Sequence, residues 1–300
     1  MSLNLSELYA LLYVKRAAEP LAPAVHDFVA TVGVVEAAAS IRAGTAPAAV
    51  VAEVNRPDAD IGPDLEALDR GGVRLLTPED TEWPRERFAA LEEAGSVPPL
   101  ALFVRGDASL AAVTCSAVTI AGSRAATGYG CHVAGGFGFA FAGAGVTVVG
   151  GGSYGIEGTA HRGALTANKP TVVVLACGVN QAYPAGHAAL LENVVRHGGL
   201  LVSEYPVGAA PVRYRFAART RLLAALGGAT VVVEAGWRSG ALHLARTATS
   251  LGRRVYGVPG PITSAASAGV HELLRDGHAR LATTHADVEL DSLPPDREGP

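Results

Sequence analysis

Residues 118–152, VTIAGSRAATGYGCHVAGGFGFAFAGAGVTVVGGG, hold the pattern on which the fold turns. A short β-branched run, VTIA, stops at Gly122-Ser123-Arg124. A helix-length stretch follows, and a second run, VTVV from 146, stops at Gly150-Gly151-Gly152. Outward from there the unit recurs: TVVVL at 171, LLVS at 200, TVVVE at 230 and VYGVP at 255, with starts 25–30 residues apart. Strands that are apolar on both faces and alternate with helices belong to a parallel sheet covered on both sides. Six of them predict an α/β protein with an extended Rossmann-like, doubly wound and mostly parallel sheet over residues 111–285.

The flanking stretches differ in texture. Residues 1–62 are Ala- and Val-rich. Leu5, Leu8, Leu11 and Leu12 fall at helical spacing, and Pro20, Pro23, Pro47 and Pro57 interrupt the pattern. This predicts a small helical N-terminal domain of short helices. Residues 63–110 read as a connector broken by Pro78, Pro84, Pro98 and Pro99, with Leu100–Val104 as a candidate strand. The last stretch, 286–300, ends in DSLPPDREGP and is expected to be an acidic, disordered tail.

The 300 residues carry a formal net charge of −4, but that total is a sum of unlike parts. Residues 1–109 have a balance of −8, residues 110–285 of +8, and residues 286–300 of −4. A basic middle in an acidic chain points to an anionic partner for that middle. Three cysteines, Cys115, Cys131 and Cys177, are too few for a disulfide framework or a Cys-based zinc site. Nothing resembles a secretion signal or a membrane span, so a cytoplasmic chain with no membrane partner is expected.

In an open parallel sheet, ligands bind beyond the carboxyl ends of the strands, where glycine turns and helix N-termini present N–H groups. Three such turns can be read. Gly122, Ser123 and Arg124 follow the first strand; Gly151, Gly152, Ser153, Tyr154 and Gly155 follow the second; Trp237, Arg238, Ser239 and Gly240 follow the fifth. Together they suggest a run of phosphates. Glycines also serve tight packing at such turns, and no GxGxxG follows the first strand and no Walker A sequence occurs, so a dinucleotide or nucleotide cofactor is not indicated. The second concentrated feature is Arg213, Arg215, Arg219 and Arg221, with Tyr214 and Phe216 among them. Alone this could be a solvated helix face. In a basic domain it suits single-stranded nucleic acid, with guanidiniums for phosphates and flat rings for bases. Tyr154, Phe216 and Trp237 are the stacking candidates; Glu157, Thr220 and Glu234 are expected to position groups in the pocket. The nine histidines show no HxH or HExxH spacing, so no metal site is expected, and His161 reads as a packed helix residue. No GxSxG elbow offers a hydrolase nucleophile.

These segments, taken in order, resemble the DNA-processing protein A (DprA/Smf) family. VTIAGSRAATGYG is similar to its first-strand signature, GGGSYGIEGTAHRGAL to its SGxARGID-x-x-AH-x-x-AL segment, and LACGVNQAYPAGHAALLENV to its G-[LV]-[DN]-x-x-YP stretch. SEYPVGAAPVRYRFAARTRLLAAL resembles SExPxGxxPxxxxFPxRNRIIAGL, and VVVEAGWRSGALHLARTATSLGRRVYGVPG resembles the family's next block. The resemblance implies an extended Rossmann domain behind a SAM- or helix-hairpin-helix-like helical domain. It also implies homodimers that bind and protect single-stranded DNA and help load the RecA recombinase, without catalysis or cofactor. Carried over by position, the DNA pocket comprises Gly122, Ser123, Arg124, the Gly151–Gly155 loop, Arg219, Arg221, Ser239 and Gly240. The chain departs from the pattern at Tyr154 (family Arg), Glu157 (Asp), Thr220 (Asn) and Ala217 (Pro).

A competing resemblance comes from VVGGGSYGIEG, similar to the GGGxxGLMG turn of the LOG-type nucleoside-5′-monophosphate phosphoribohydrolases. Their PGGxGTxxE motif is replaced here by VEAGWRSGALHLA, which favours binding over hydrolysis. A nucleotide-sensing relative is the third reading. The charge split implies that residues 110–285 alone bind at least as tightly as the whole chain.

Overall fold

The computed structural model describes residues 3–291. Five short helices come first: α1 (Leu5–Ala17), α2 (Pro23–Val32), α3 (Val34–Ala43), α4 (Ala48–Glu53) and α5 (Gly62–Asp69). Asn4 caps α1 by accepting from Glu7 N while the Glu7 carboxylate accepts from Asn4 N, a reciprocal pair that fixes where the chain turns helical. Tyr13, Val14, Val25, Ala38, Ile41 and Val50 form their own small core.

Next come β1 (Arg74–Leu76), α6 (Arg85–Glu93), β2 (Leu102–Arg105) and α7 (Leu110–Thr114). The alternating part then runs β3 (Ala117–Ala121), α8 (Gly128–Gly143), β4 (Thr147–Gly150), α9 (Ile156–Thr166), β5 (Thr171–Val174), α10 (Ala188–Arg196), β6 (Leu200–Ser203) and α11 (Arg213–Leu226). It closes with β7 (Ala229–Val232), α12 (Gly240–Ser250), β8 (Arg254–Gly257), α13 (Ala268–Arg275) and β9 (Arg280–Leu281). All six strands read from the sequence are present, and the nine-stranded sheet has the order β1-β2-β6-β5-β4-β3-β7-β8-β9. Pairing is parallel from β6 through to β9; β1 and β2 add to the β6 edge antiparallel, with Phe103 opposite Ser203. The fold is therefore the expected α/β, doubly wound and mostly parallel sheet behind a helical N-terminal part.

Residues of β3 to β7 are fully buried because helices cover both faces. On one face α8 and α9 meet backbone to backbone. A Cβ on Gly138 would lie 2.2 Å from Ala160 O, which is why the two helices can cross so closely only with glycine there.

Three boundaries differ from the sequence reading. The connector 63–110 is part of the sheet, since β1 and β2 lie within it. Sheet and helices are also joined: Lys15 Nζ donates to Ala101 O (2.7 Å), Arg16 pairs with Asp64, and Leu12 packs with Phe103, Val179 and Val207. A fragment of residues 110–285 would lose two strands and these contacts, so the expectation that it binds as well by itself does not fit the architecture. Residues 286–291 are also ordered rather than part of a loose tail. Val288 is buried, and Asp291 O accepts from the fully buried Arg87 (2.9 Å), whose other nitrogens donate to Thr114 O and Cys115 O. Residues 292–300 of the expected tail lie outside the described residues. No described helix is long and apolar enough to cross a membrane.

His161, on α9, is fully buried. The Thr171 hydroxyl donates to Val148 O (2.6 Å), so it accepts from His161 Nδ1–H (2.7 Å). Nε2 has no partner, so a proton there would be a buried charge without an acceptor. Burial accordingly lowers the imidazole from its ordinary 6.5 to about 4. The unfolded chain therefore binds more protons than the folded one between those values. Stability is expected to fall as pH drops from 6.5 toward 4, by up to about 1.4 kcal/mol per pH unit. Urea unfolding across that range should show this slope in the wild type and a flatter one in His161→Gln.

Candidate functional site

The sheet order places β4 on one side of β3 and β7 on the other. The chain leaves β3 toward one side and returns later on the other, and the segments that follow these strands part to open a crevice at this switch point. A cleft of about 560 Å³ occupies it, lined by Gly122, Ser123, Arg124, Ser153, Glu157, Phe216, Arg219, Thr220 and the run Gly236–Ala241. The three turns read from the sequence thus meet in one place.

Backbone bonds lock the turns to each other. Ser123 N donates to Glu234 O (2.7 Å), and Ile156 N donates to Ser123 O (3.1 Å). Gly155, at φ +74°, lies so close to the first turn that a Cβ would sit 2.3 Å from Ser123 O. Only glycine satisfies both the angle and the approach.

Two internal carboxylates already hold donors of these turns. Glu157, 8 % exposed, accepts from Ser153 N (2.9 Å) and Ser153 Oγ (2.5 Å). Glu234, 1 % exposed, accepts from Thr127 N (2.9 Å) and Thr127 Oγ1 (2.5 Å), where Thr127 caps α8. Both residues hold a hydroxyl and an N–H group, Ser153 in the cleft lining and Thr127 outside it, and Ser153 is thereby spoken for. Ser239 caps α12, its Oγ accepting from Ala241 N (3.2 Å), and so orients the Ser239–Gly240 turn into the cleft.

The four arginines of α11 have three different fates. Arg213 is exposed at the first turn. Arg219 lies at the cleft wall, buried, with Nη1 donating to Gly151 O and Val174 O (2.9 Å each). Its Nε has no partner, and burial pulls the guanidinium below its ordinary range while Glu157 opposes that shift. Arg215 and Arg221 do not serve the cleft. Arg215 pairs with Glu19 of the helical part and donates to Ala210 O; Arg221 makes a two-pronged pair with Glu204 (2.5 and 2.6 Å) and donates to Val97 O. Both are at least 95 % buried. Their reading as DNA contacts is corrected: a buried guanidinium must be paired inside the fold, and the paired nitrogens are not available to a ligand.

Phe216 is half-buried on the cleft wall, with the guanidiniums of Arg124 and Arg219 over its ring at 5.0 and 5.3 Å. Trp237 is 62 % exposed, and Arg124 and Arg238 are exposed beside it. Thr220, buried, donates to Phe216 O (3.1 Å) within α11 and adds its side chain to the lining. Tyr154 lies apart from the cleft lining, edge-on to His187 at 4.7 Å. Cys177 is buried, its thiol raised to about 11 by desolvation, while Cys115 and Cys131 are half-buried. The sequence reading missed Glu19, Glu204 and Thr127. Thr127 had a local signal, a threonine just before a helix; Glu19 is 196 residues from its partner and had none.

A doubly wound α/β protein with an arginine- and aromatic-lined cleft at its switch point is the class these features define. Comparison with known proteins narrows it: the model of the family described as DNA recombination-mediator protein A matches residues 74–291, and the chain belongs to that family. It is 47 % identical over 284 residues to a DNA processing protein DprA of Mycobacterium tuberculosis, covering 92 % of this chain and 72 % of that one. It is 38 % identical over 219 residues to the Smf protein of Escherichia coli, covering 73 % of this chain and 56 % of that one. Among solved structures, DprA of Streptococcus pneumoniae superposes with a TM-score of 0.75 at 25 % identity, covering 97 % of this chain and 99 % of that one. DprA of Helicobacter pylori, which binds single-stranded DNA, superposes with a TM-score of 0.62 at 27 % identity, covering 72 % and 93 %.

The division among the arginines has a measurable outcome. Arg221→Ala leaves Glu204 buried without its partner and should cost about 3–5 kcal/mol in urea unfolding. Arg124→Ala, at an exposed site, should stay within about 0.5 kcal/mol of wild type in the same experiment.

Proposed function

We propose that this chain binds single-stranded DNA in the switch-point cleft, without catalysis. It would act in the cytoplasm as a homodimeric recombination mediator that shields the strand and helps load a RecA-type recombinase. One observation carries the DNA reading: the exposed Arg124 and Arg238 converge on a cleft that also presents Phe216 and Trp237, with the buried Arg219 in its wall. Among the described residues none of these three arginines pairs with an acidic side chain within salt-bridge distance. Cations free to meet phosphates beside flat rings free to meet bases are the two requirements of single-strand binding. Membership of a family described as recombination mediators supports the mediator role, and the single-strand binding of the Helicobacter pylori relative supports the ligand. Against a phosphoribohydrolase stands the position of Glu234, whose carboxylate is turned onto Thr127 instead of into the cleft.

The direct experiment is an anisotropy titration with single- and double-stranded oligonucleotides at several salt concentrations. Single strands should bind more tightly, with little sequence preference. The affinity should fall linearly with log salt at about 0.7 per phosphate contacted. Arg124→Ala and Arg238→Ala should each weaken all sequences alike and flatten that slope by about 0.7. A salt-independent affinity, or release of free base from AMP by the purified chain, would overturn the reading.

A further inference from the structure

The segment between β5 and α10 belongs to none of the three glycine turns, yet it brings an aromatic ring to the cleft's edge. Tyr183 lies with its ring centroid 5.5 Å from that of Phe216 and its plane tilted by 57°. It is 37 % exposed, too open for a core residue and open enough to offer a face.

Its placement is rigid. Gly178 N donates to Ala209 O (2.9 Å), Gln181 N to Gly178 O (2.8 Å), and Asn180 Oδ1 accepts from Gly208 N (2.8 Å). On the far side of the tyrosine, the buried His187 bonds through Nδ1 to Gly152 O (2.9 Å). A platform held on both sides binds without first having to be ordered, and so loses less entropy to its ligand. The surroundings are cationic as well. Arg213, exposed and in no ion pair among the described residues, stands one helical turn before Phe216 at the N-terminus of α11.

We infer that Tyr183 is a second base-stacking platform, which takes the nucleobase next to the one at Phe216 as the strand leaves the cleft past Arg213. The inference rests on the single-strand reading given above and extends it. Phe216 has the guanidiniums of Arg124 and Arg219 over its ring, so a base at Phe216 sits beside the exposed Arg124, which is in no ion pair among the described residues. The next base in an extended strand then meets the only neighbouring ring that Phe216 touches among the described residues. Tyr154, by contrast, packs on His187 and has no ring contact with Phe216.

The experiment compares oligothymidylates of about four and about twelve nucleotides, within the span that such sites cover. Tyr183→Ala should weaken the longer oligomer roughly five-fold or more while leaving the shorter one, which fills only the cleft, unchanged. Tyr183→Phe should bind both as wild type does, and Tyr183→Leu should behave like the alanine variant. Loss of a stacked base removes no phosphate contact, so the salt slope of Tyr183→Ala should equal that of wild type, whereas Arg213→Ala should flatten it by about 0.7 for the longer oligomer. Because Trp237 already reports on the cleft, Tyr183→Trp should show quenching beyond that of wild type with the longer oligomer and none beyond it with the shorter. Wild-type affinity of Tyr183→Ala at both lengths overturns the inference. So does an equal loss at both lengths, which would make Tyr183 a prop for Phe216 and no platform. A wild-type chain that binds neither oligomer overturns the single-strand reading itself, a result distinct from either.

Discussion

A guanidinium can be buried only when its nitrogens find oxygens, and α11 is built around that requirement. Its arginines reach in three directions: Arg215 to Glu19 in the helical part, Arg221 to Glu204 beyond β6 and Val97 O before β2, Arg219 to Gly151 O and Val174 O at the ends of β4 and β5. One helix thus binds the N-terminal helices, the antiparallel edge and the centre of the sheet to each other. The cost of desolvating three cations is offset by these contacts and not by a ligand. Because the same helix presents Phe216 and Thr220 to the cleft, the geometry of the cleft depends on pairs that lie behind it.

The glycine turns follow a similar logic with the signs reversed. Glycine after a strand allows close approach and exposes N–H groups, but Glu157 and Glu234 already accept from Ser153 and Thr127. Satisfied turns hold their shape without an anion. What remains open toward a ligand is cationic and aromatic: Arg124, which lies over the Phe216 ring, together with Arg238 and Trp237. This departs from the simple picture of three phosphate cradles. The cleft reads more naturally as a short groove in which charge and flat surfaces alternate.

The sequence disclosed β3 to β8 because each is a short run of apolar and β-branched residues, and burial of β3 to β7 on both faces leaves only small hydroxyl side chains among them. It offered Leu100–Val104 for β2 but concealed β1 and β9, which are three and two residues long and lie among prolines or charges. Short edge strands owe their existence to the neighbour they pair with, and nothing local marks them. Gly122, Ser123, Arg124, Phe216, Arg219, Trp237 and Arg238 could be placed in one site from their positions after strands and on one helix. Arg215 and Arg221 could not be separated from them, since alternate residues on α11 look alike in sequence while the partner of Arg215 comes from 196 positions away. Tyr183 escaped for another reason: its neighbour Phe216 lies 33 positions on in the chain, and no local pattern joins the two rings.

The bond from Arg87 to Asp291 O spans 204 residues, and β2 must wait about a hundred residues for β6. Closing such distances is entropically slow and comes late. During synthesis the parallel centre, assembled from neighbours 25–30 residues apart, can therefore form while the apolar side chains of β2 still lack the strand that will cover them. Arg87 stays without its third carbonyl until residue 291 has left the ribosome, which makes the far end of the chain the fastening that completes the beginning.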